Sequence, residues 1–336
     1  MIDRRAVLAG LAALTLVDAT VAKPASTAAF SGIRRVDPEL DRIVAVDAPV
    51  KVLATGFRWA EGPVWIPDDG GYLLFGDPGN NVVHRWSERS GVTPFLSPSG
   101  LQTPVPPGIR EPGLNGIALD GKGGLIGADS GSRAIVRVDL ATRRRTVLAE
   151  RFEGKRFNSP NDLCIAASGA IYFSDPIYGL ADGDDSPLRE LPWCGLYRLL
   201  PGGKVTLLDR TNRRPNGVAL SPDERTLYLA LSDEKRPEVL AYTLDGRGMP
   251  TGRSMFRDMR PEYDIGLPGL PDGIKVGSAG DVFATGPGGV HVCSADGRLL
   301  GMIGTGKAVA NCALASGSRL FMTSSDSLAV VKLASN

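Results

Sequence analysis

Six residues with oxygen-bearing side chains recur along the chain, each just ahead of an apolar run, a short turn and a second apolar run. They are Glu61, Asn115, Asn161, Asn216, Asp272 and Asn311. Carboxylate and carboxamide oxygens are ligands of hard divalent cations, and a mixed set of this kind suits Ca²⁺ best. If the fold brings them together, the set predicts a divalent metal site, with Zn²⁺, Mn²⁺ and Mg²⁺ as alternatives to Ca²⁺. A water-filled channel lined by asparagines that cap strand ends is the other interpretation.

The spacing of these residues indicates an internal repeat. Successive members are 54, 46, 55, 56 and 39 residues apart, and another pair of strand-like runs follows each hairpin. Six units of about four short strands are typical of a β-propeller. We therefore expect an all-β fold, a six-bladed β-propeller with four-stranded antiparallel blades around a central metal-binding channel. The stretch "IVAVDAPVKVLATG", which precedes the first unit, is expected to add a strand to the last blade and close the ring.

Propeller geometry explains how residues so far apart in sequence could form one site. The first strand of each blade lines the central channel, so the residue at its start faces the shared axis at one end. Three long connections are expected to lie over the same end, at residues 97–113, 175–195 and 258–270. Long loops over the mouth of a scaffold commonly hold substrate contacts. The candidates in these loops are Tyr178, Arg260, Glu262 and Tyr263, with ordinary loop packing as the alternative.

Three aspartates close the second strands of the first three blades, where they should lie near the same end of the channel. They are Asp77, Asp129 and Asp175. Hydrogen bonds from such residues could orient the channel groups, as outer residues orient metal ligands in other proteins. A role in the turns that end these strands is the equal alternative.

The composition narrows the classes of function. Apolar residues make up 43% of the 336 residues and charged residues 22%, as in an ordinary soluble domain. The net charge of +1 gives no indication of nucleic-acid binding or of attraction to an acidic membrane surface. With two histidines and four scattered cysteines that lack C-x-x-C spacing, a Ser-His-Asp triad, a zinc–cysteine site and a redox motif are not expected. The expected partner is a small-molecule substrate, and the expected assembly is a monomer or a weak oligomer.

The N-terminus "MIDRRAVLAGLAALTLVDATVAKPA" differs in character from the rest of the chain. A charged start, an apolar run and small residues near Ala22 are typical of an export signal, and the Arg4-Arg5 pair indicates the twin-arginine route. An ordinary secretory signal and a short membrane anchor are the alternatives. We expect an export signal over residues 1–22, a lead-in segment over 23–44 and one propeller catalytic domain over 45–336. The mature protein would then be periplasmic or secreted, without membrane contact, because no other segment has the roughly 18 apolar residues of a span.

Several stretches of the chain resemble the SMP-30/gluconolactonase/LRE-like family of six-bladed propellers. They are "EGPVW", "EGKRFNSPNDL", "DPIYGL", "RPNGVALSPDERTLYLA", "LPDGIKV", "GPGGV" and "NCA", within a likeness that runs from about residue 45 to the C-terminus. The resemblance implies a metal-dependent hydrolase that acts on sugar lactones or related esters. The chain departs from the pattern at residues 128–131, where it reads Ala-Asp-Ser-Gly and many gluconolactonase-like members carry Glu-His-Gly. This departure leaves the substrate open.

The resemblance also assigns roles to individual residues. The implied metal ligands are Glu61, Asn161, Asn216 and Asp272, of which Asn161 matches a position that binds metal in some members and substrate in others. Asp272 is also the implied catalytic base. The expected substrate contacts are Asn115, Asn161, Tyr178, Arg260 and Tyr263. Asn115 and Asn311 match recurring motif positions, and no residue is assigned to an organic cofactor.

The combined hypothesis is hydrolysis of a sugar lactone by a water that the metal or Asp272 activates. The metal would polarise the ring carbonyl and stabilise the developing oxyanion, and Asp272 would accept a proton from the attacking water. Three alternatives stay open. They are an organophosphate or aryl ester hydrolase on the same metal site, a ligand-binding propeller without enzymatic activity, and a propeller like strictosidine synthase, which would not need the Glu-Asn-Asn-Asp set.

Overall fold

The computed structural model of the protein describes residues 29–334, so the predicted export signal lies outside the described residues. The strands are β1 (Ser31–Arg35), β2 (Lys51–Thr55), β3 (Glu61–Ile66), β4 (Tyr72–Asp77), β5 (Val82–Ser87), β6 (Gly91–Leu96), β7 (Leu114–Leu119), β8 (Gly124–Asp129), β9 (Ala134–Asp139), β10 (Arg145–Ala149), β11 (Arg151–Phe152), β12 (Lys155–Arg156), β13 (Leu163–Ile165), β14 (Ile171–Asp175), β15 (Gly195–Leu199), β16 (Val205–Asp209), β17 (Pro215–Leu220), β18 (Thr226–Leu231), β19 (Glu238–Leu244), β20 (Pro250–Asp258), β21 (Ile274–Val276), β22 (Val282–Gly286), β23 (Gly289–Cys293), β24 (Leu299–Thr305), β25 (Asn311–Ala315), β26 (Arg319–Ser324) and β27 (Ser327–Lys332). The helices are short 3-10 helices at Pro38–Arg42, Pro78–Asn80 and Gly183–Asp185, and the α-helix α1 (Arg260–Asp264). Within residues 29–334, no helix combines the length and the apolar character that crossing a membrane requires.

Six antiparallel sheets form the blades of a propeller. The blades consist of β3–β6, β7–β10, β13–β16, β17–β20, β21–β24 and β25–β27 with β2, and a separate hairpin joins β11 and β12. The innermost strands of successive blades contact one another in cyclic order, from β3 through β7, β13, β17, β21 and β25 back to β3. The prediction of an all-β, six-bladed propeller is confirmed.

Two strands from the start of the described chain complete the outer parts of blades. β2 pairs antiparallel with β27, from Lys51 opposite Val330 to Thr55 opposite Ser327, so the sixth blade is closed by an N-terminal strand. The predicted closure of the ring is therefore confirmed. β1 pairs with β24 and adds a fifth, outer strand to the fifth blade. Described residues of the predicted lead-in segment thus belong to a sheet of the propeller.

The apolar core is divided among the interfaces between neighbouring blades. Each interface holds its own cluster of buried side chains from both blades, such as Leu74 of the first blade with Leu114 and Leu125 of the second. The same holds where the ring closes, with Phe75 of the first blade near Phe321 of the sixth. Because every blade is covered on both faces, its strands are apolar on both sides. This packing fixes each innermost strand, and with it the residue at its start, relative to the axis.

Glycines in the innermost strands let these strands approach one another closely. A Cβ atom on Gly62 would lie 2.0 Å from the carbonyl oxygen of Asn115, and a Cβ atom on Gly217 would lie 2.0 Å from the carbonyl oxygen of Asp272. Only glycine allows a backbone to come so near. The glycines that follow Glu61 and Asn216 therefore permit the next innermost strand, with its own polar residue, to pack against the axis.

Candidate active site

The fold brings five of the six recurrent residues to one cavity at one end of the channel. The cavity has a volume of about 730 Å³ and is lined by Glu61, Asn115, Asn161, Asn216 and Asp272. All three long loops predicted over this end contribute to it. Their contributions include Arg110 and Glu111 from residues 97–113, Tyr178 from residues 175–195, and Tyr263, Leu267 and Leu270 from residues 258–270.

Glu61 is held in position by hydrogen bonds from its own segment. It is the first residue of β3 and is buried. Trp59 Nε1 donates to Oε1 at 3.0 Å, and the backbone nitrogen of Gly62 donates to Oε2 at 3.1 Å. The carboxylate is therefore oriented by the local sequence "WAEG" once the strand has formed.

Asn216 and the chain at Asp272 are linked through Ser232. Asn216 Nδ2 donates to Ser232 Oγ at 2.9 Å, and Ser232 Oγ donates to the carbonyl oxygen of Pro271 at 2.5 Å. Asn216 Oδ1 is buried and has no hydrogen-bond partner among the described residues. Asp272 follows Pro271 directly and is half-buried against the cavity. Ser232 thus fixes the Asn216 amide in an orientation that leaves its oxygen free to accept.

The carboxylates of the cavity are poorly solvated and close to other negative charges. Burial raises the pKa of Glu61 to about 8, and the charges of Asp162 and Glu111 add to the rise. Burial also raises the pKa of Asp272 well above the usual range of an aspartate, with the charge of Glu61 as the next cause. Each group therefore holds a proton more strongly than an exposed carboxyl, unless a cation compensates the charge.

These residues fit a hard divalent cation. Two carboxylates with raised pKa values and a buried amide oxygen without a donor form the kind of acceptor set that such an ion coordinates. In the described part of the chain, no three His, Cys, Asp or Glu side chains are placed to share a metal ion. A metal at this end of the channel would therefore need the amide oxygens of Asn161 and Asn216. That donor set favours Ca²⁺ over metals that prefer nitrogen and sulfur ligands.

Asn311, the sixth recurrent residue, is not among the residues that line the cavity in the described chain. Its Oδ1 accepts a hydrogen bond from Lys275 Nζ at 3.0 Å, and its Nδ2 donates to Asp162 Oδ2 at 3.5 Å. We expected all six side chains to converge on the axis, and Asn311 does reach groups of two other blades, but it is paired with them and does not line the cavity. The reason is Gly273, on which a Cβ would lie 2.0 Å from Asn311 Cγ. The Asn311 amide fills the space that this glycine leaves and finds its partners there.

The loop candidates for substrate contact divide into two groups. Tyr178 and Tyr263 line the cavity, whereas Arg260 and Glu262 are not among its lining residues. The Arg260 guanidinium donates to the carbonyl oxygen of Lys235, lies 3.4 Å from Asp264 and lies over the Tyr263 ring, 5.6 Å from its centroid. Arg260 is the first residue of the short helix α1, and this helix directs its side chain towards the neighbouring loop at Lys235. The structure therefore places Arg260 outside the cavity lining, and its contact with substrate stays a prediction.

The aspartates that close the second strands hold the loops that lead into the site. Asp77 accepts hydrogen bonds from the backbone nitrogens of residues 58 and 59, just ahead of Glu61, at 3.1 and 3.3 Å. Asp175 accepts from the backbone nitrogens of residues 158 and 159, just ahead of Asn161, both at 2.8 Å. Asp129 instead bonds within its own blade. Two of these aspartates therefore position cavity residues through the backbone.

Comparison with known proteins places the chain in a family. A family model described as "SMP-30/Gluconolactonase/LRE-like region" matches residues 59–326. The chain belongs to this family. A protein of Zymomonas mobilis named gluconolactonase is 44% identical over 305 residues, which are 89% of this chain and 85% of that protein. A protein of Haloferax volcanii named pentonolactonase is 28% identical, with 75% of each chain covered. Among solved structures, a gluconolactonase from Xanthomonas campestris matches with a TM-score of 0.78 and 31% identity, over 93% of this chain and 98% of that one.

The stretch in which this member of the family lacks the Glu-His-Gly pattern lies next to the site. Among the described residues, none of residues 128–131 lines the cavity. Ser130 Oγ donates a hydrogen bond to the carbonyl oxygen of Pro160 at 2.9 Å, directly ahead of Asn161. In this chain the stretch therefore supports the segment ahead of Asn161 and does not face the cavity.

Several groups of the cavity were not found by sequence reasoning. They include Trp59, Arg110, Glu111 and Ser232. Ser232 lies directly after β18, the second strand of its blade, where the first three blades carry aspartates that the sequence analysis did single out. Trp59 precedes Glu61 by two residues and is visible only as part of "RWAEG". Arg110 and Glu111 lie in a long connection between two blades, outside the repeated strand motif, so no pattern marked them.

Proposed function

We propose that the protein is a metal-dependent hydrolase that opens sugar lactones. The observation that carries the proposal is the convergence of Glu61, Asn216 and Asp272 in a cavity of about 730 Å³, on a chain 44% identical to a protein named gluconolactonase. A cavity of this volume is in the range that binds small molecules. The names of the relatives, gluconolactonase and pentonolactonase, support a cyclic sugar ester as the substrate class.

Glu61, Asn161, Asn216 and Asp272 would hold the metal ion, for which Ca²⁺ suits the donor set best. Once bound there, the ion supplies polarisation of the lactone carbonyl and stabilisation of the negative charge that develops on its oxygen. Trp59 keeps Glu61 oriented through its hydrogen bond of 3.0 Å, and Ser232 does the same for Asn216 at 2.9 Å. These supporting bonds reduce the reorganisation that the site needs on binding.

Asp272 is proposed to take a proton from the attacking water. The water oxygen forms a bond to the carbonyl carbon, the ring C–O bond breaks, and the proton is passed to the leaving ring oxygen, which gives a hydroxy acid. Burial raises the pKa of Asp272 in the metal-free protein, and a bound cation would lower it again, so the strength of this base depends on the ion beside it. In the alternative, Asp272 would be a ligand alone, and activation of the water would be chemistry that the ion supplies when bound.

The walls of the cavity are proposed to position the lactone ring. The loop of residues 97–113 follows the first blade, and the loop of residues 258–270 follows the fourth. The two loops therefore lie on opposite sides of the ring of six blades. The first loop ends just ahead of Asn115, whose amide can bond ring hydroxyls. The second contributes Tyr263 and Asp264 together with Leu267 and Leu270, so that wall offers both polar and apolar contacts to the lactone.

Elemental analysis of the purified protein, followed by a lactone panel with chelator controls, tests the proposal. We expect a bound divalent ion, and hydrolysis of sugar lactones that EDTA abolishes and added Ca²⁺ restores. The same panel includes aryl esters and organophosphates. Faster hydrolysis of these than of any lactone would favour the alternative function, an aryl ester or organophosphate hydrolase on the same metal site. Absence of hydrolysis with Ca²⁺, Zn²⁺ or Mn²⁺, together with ligand binding that survives EDTA, would reject the enzymatic function.

A further inference from the structure

Glu111 is a charged residue of the cavity that the proposed metal site does not use. It lies in the loop of residues 97–113, four residues before Asn115, and lines the cavity. Its side chain is 20% exposed. Its Oε2 is buried and has no hydrogen-bond partner within residues 29–334.

The neighbours of Glu111 leave this oxygen without a donor. Arg110 Nη2 lies 3.8 Å from Oε1, beyond hydrogen-bond distance, and donates to the carbonyl oxygen of Tyr178 instead. Burial raises the pKa of this carboxyl group, and the charge of Arg110 and the nearby Asn115 amide lower it by less. A buried acceptor that stays unpaired costs free energy, which a ligand with a suitable donor would recover.

A metal ion does not account for Glu111. No three His, Cys, Asp or Glu side chains in the described chain are placed to share an ion, so Glu111 does not join Glu61 and Asp272 as a third carboxylate ligand. An ionised carboxylate only accepts hydrogen bonds, so the missing partner is a donor. The hydroxyl groups of a sugar lactone are donors of this kind, whereas an unsubstituted lactone ring has none.

The opposite wall combines apolar and polar groups. The loop of residues 258–270 stands across the ring of blades from the loop that carries Glu111 and presents Tyr263 and Asp264 as well as Leu267 and Leu270 to the cavity. Glu111 differs from the other carboxylates of the cavity because, within residues 29–334, it alone among them has a buried oxygen without a hydrogen-bond partner. A ring hydroxyl of a bound lactone would satisfy that oxygen.

We propose that Glu111 determines substrate specificity by accepting a hydrogen bond from a ring hydroxyl of the lactone. This inference rests on the proposed lactonase function. A site built to bind a hydroxyl group discriminates strongly against an analogue that lacks it, because its buried polar group is then left unpaired. The protein therefore prefers hydroxylated sugar lactones to lactones of the same ring size without hydroxyl groups.

The test compares D-glucono-1,5-lactone with δ-valerolactone, which has the same ring size and no hydroxyl groups. We expect Glu111→Leu to lower kcat/KM for the sugar lactone about 10- to 100-fold, mainly through KM, and to leave or raise kcat/KM for δ-valerolactone. Glu111→Gln keeps an acceptor oxygen and should lose less. If Glu111→Leu does not fold, the Gln variant carries the test, with a smaller shift of the ratio between the two substrates.

A matched control removes a similar glutamate outside the cavity. Glu262 also has a buried carboxyl oxygen without a hydrogen-bond partner in the described chain, but it pairs with Arg257 at 2.5 Å and does not line the cavity. Glu262→Leu should therefore leave the ratio of kcat/KM for the two lactones unchanged, even if it lowers thermal stability. A shift of the ratio as large as that of Glu111→Leu would show that the effect is indirect.

Other results would overturn the proposal in distinct ways. An equal loss on both lactones would assign Glu111 to proton transfer or general positioning. Loss of bound metal from Glu111→Gln would make it a ligand. An unchanged ratio in a folded, metal-loaded variant would remove the specificity role. A wild-type protein that hydrolyses neither lactone with any metal would instead reject the proposed function itself, so the two failures are distinguishable.

Discussion

Two parts of the channel carry buried polar side chains, and they differ in how those side chains are satisfied. In the cavity, Asn216 Oδ1 has no donor among the described residues, and burial together with the charge of Glu61 raises the pKa of Asp272. Further along the innermost strands, Lys275 donates to Asn311 at 3.0 Å and Asn311 donates to Asp162 at 3.5 Å. Polar groups that the fold leaves unpaired are available to a ligand, whereas groups that it pairs are structural.

The comparison shows that an asparagine at the same repeat position has a different role in each of the two regions. Asn216 and Asn311 both lie at the start of an innermost strand, and both are nearly fully buried, at 4% and 2% exposed. Ser232 accepts a hydrogen bond from Nδ2 of Asn216 and leaves the amide oxygen free. In the second region, Lys275 donates a hydrogen bond to the amide oxygen of Asn311. An internal ammonium therefore fills the role in the second region that we propose for a metal ion in the first.

Asp272→Asn should have the largest effect, because it removes one of the two carboxylates of the proposed metal set and the proposed base. We expect the kcat for a sugar lactone to fall by about 10³-fold or more at saturating Ca²⁺. Bound metal is measured in the same sample by elemental analysis. Recovery of activity in excess Ca²⁺ would restrict Asp272 to a ligand role, and a variant with wild-type rates would rule out both roles.

Binding of Ca²⁺ should strengthen as the pH rises. Burial raises the pKa of Glu61 to about 8 in the metal-free protein, so at neutral pH the ion must displace a proton from it. Below that pKa the affinity should fall by about tenfold per pH unit for each proton displaced, and above it the dependence should level off. Calorimetric titrations at pH 6, 7 and 8.5, in buffers of different ionisation enthalpy, measure affinity and proton release together. An affinity that is constant over this range, without proton release, would contradict the raised pKa.

Asn216→Ala and Asn311→Ala should have opposite effects. Asn216→Ala removes the free amide oxygen and should weaken Ca²⁺ binding about 10-fold or more, with little change in the stability of the metal-free protein. Asn311→Ala leaves Lys275 and Asp162 without their shared partner and should lower the free energy of unfolding by about 1–3 kcal/mol, with Ca²⁺ affinity unchanged. Urea unfolding in EDTA and a Ca²⁺ titration measure the two quantities. Equal effects of the two variants on both quantities would remove the distinction between the regions.

Arg260→Ala should have the smallest effect. The side chain donates to the Lys235 carbonyl outside the cavity lining, so we expect kcat/KM for the sugar lactone to change by less than about twofold. Steady-state kinetics on the lactone used for Asp272→Asn measures the change. A tenfold loss would show that the loop of residues 258–270 closes onto substrate and brings Arg260 into the site.

The fold was predictable because its information is local and repeated. Each unit carries the same order of polar residue, apolar strand, turn and second strand, and such repeats stack because one unit cannot bury both faces alone. The convergence of Glu61, Asn115, Asn161, Asn216 and Asp272 followed from the same rule, since a propeller assigns the start of every first strand to the axis. No side-chain contact had to be known for either conclusion.

The loops were less predictable, because no repeat constrains them. Glu111 and Arg110 line the cavity from one long loop. Arg260 belongs to another long loop, where it begins a short helix and lies outside the cavity lining. The sequence analysis selected Arg260 and did not select Arg110 or Glu111, because nothing in the sequence shows which loop residues face the cavity. Their different directions follow from backbone hydrogen bonds and from packing against neighbouring blades, which are set only when the ring is closed.

The sequence by itself determined that this protein is a six-bladed propeller and which residues start its innermost strands, because strand periodicity and repeat spacing are local properties of the chain. Tertiary structure alone decided which of those residues are left unpaired. Asn311 meets Lys275 in the space beside Gly273, and Asn216 meets Ser232 and keeps its oxygen free. Hydrogen-bond satisfaction depends on neighbours from other blades, and those neighbours are brought close only by the closure of the ring.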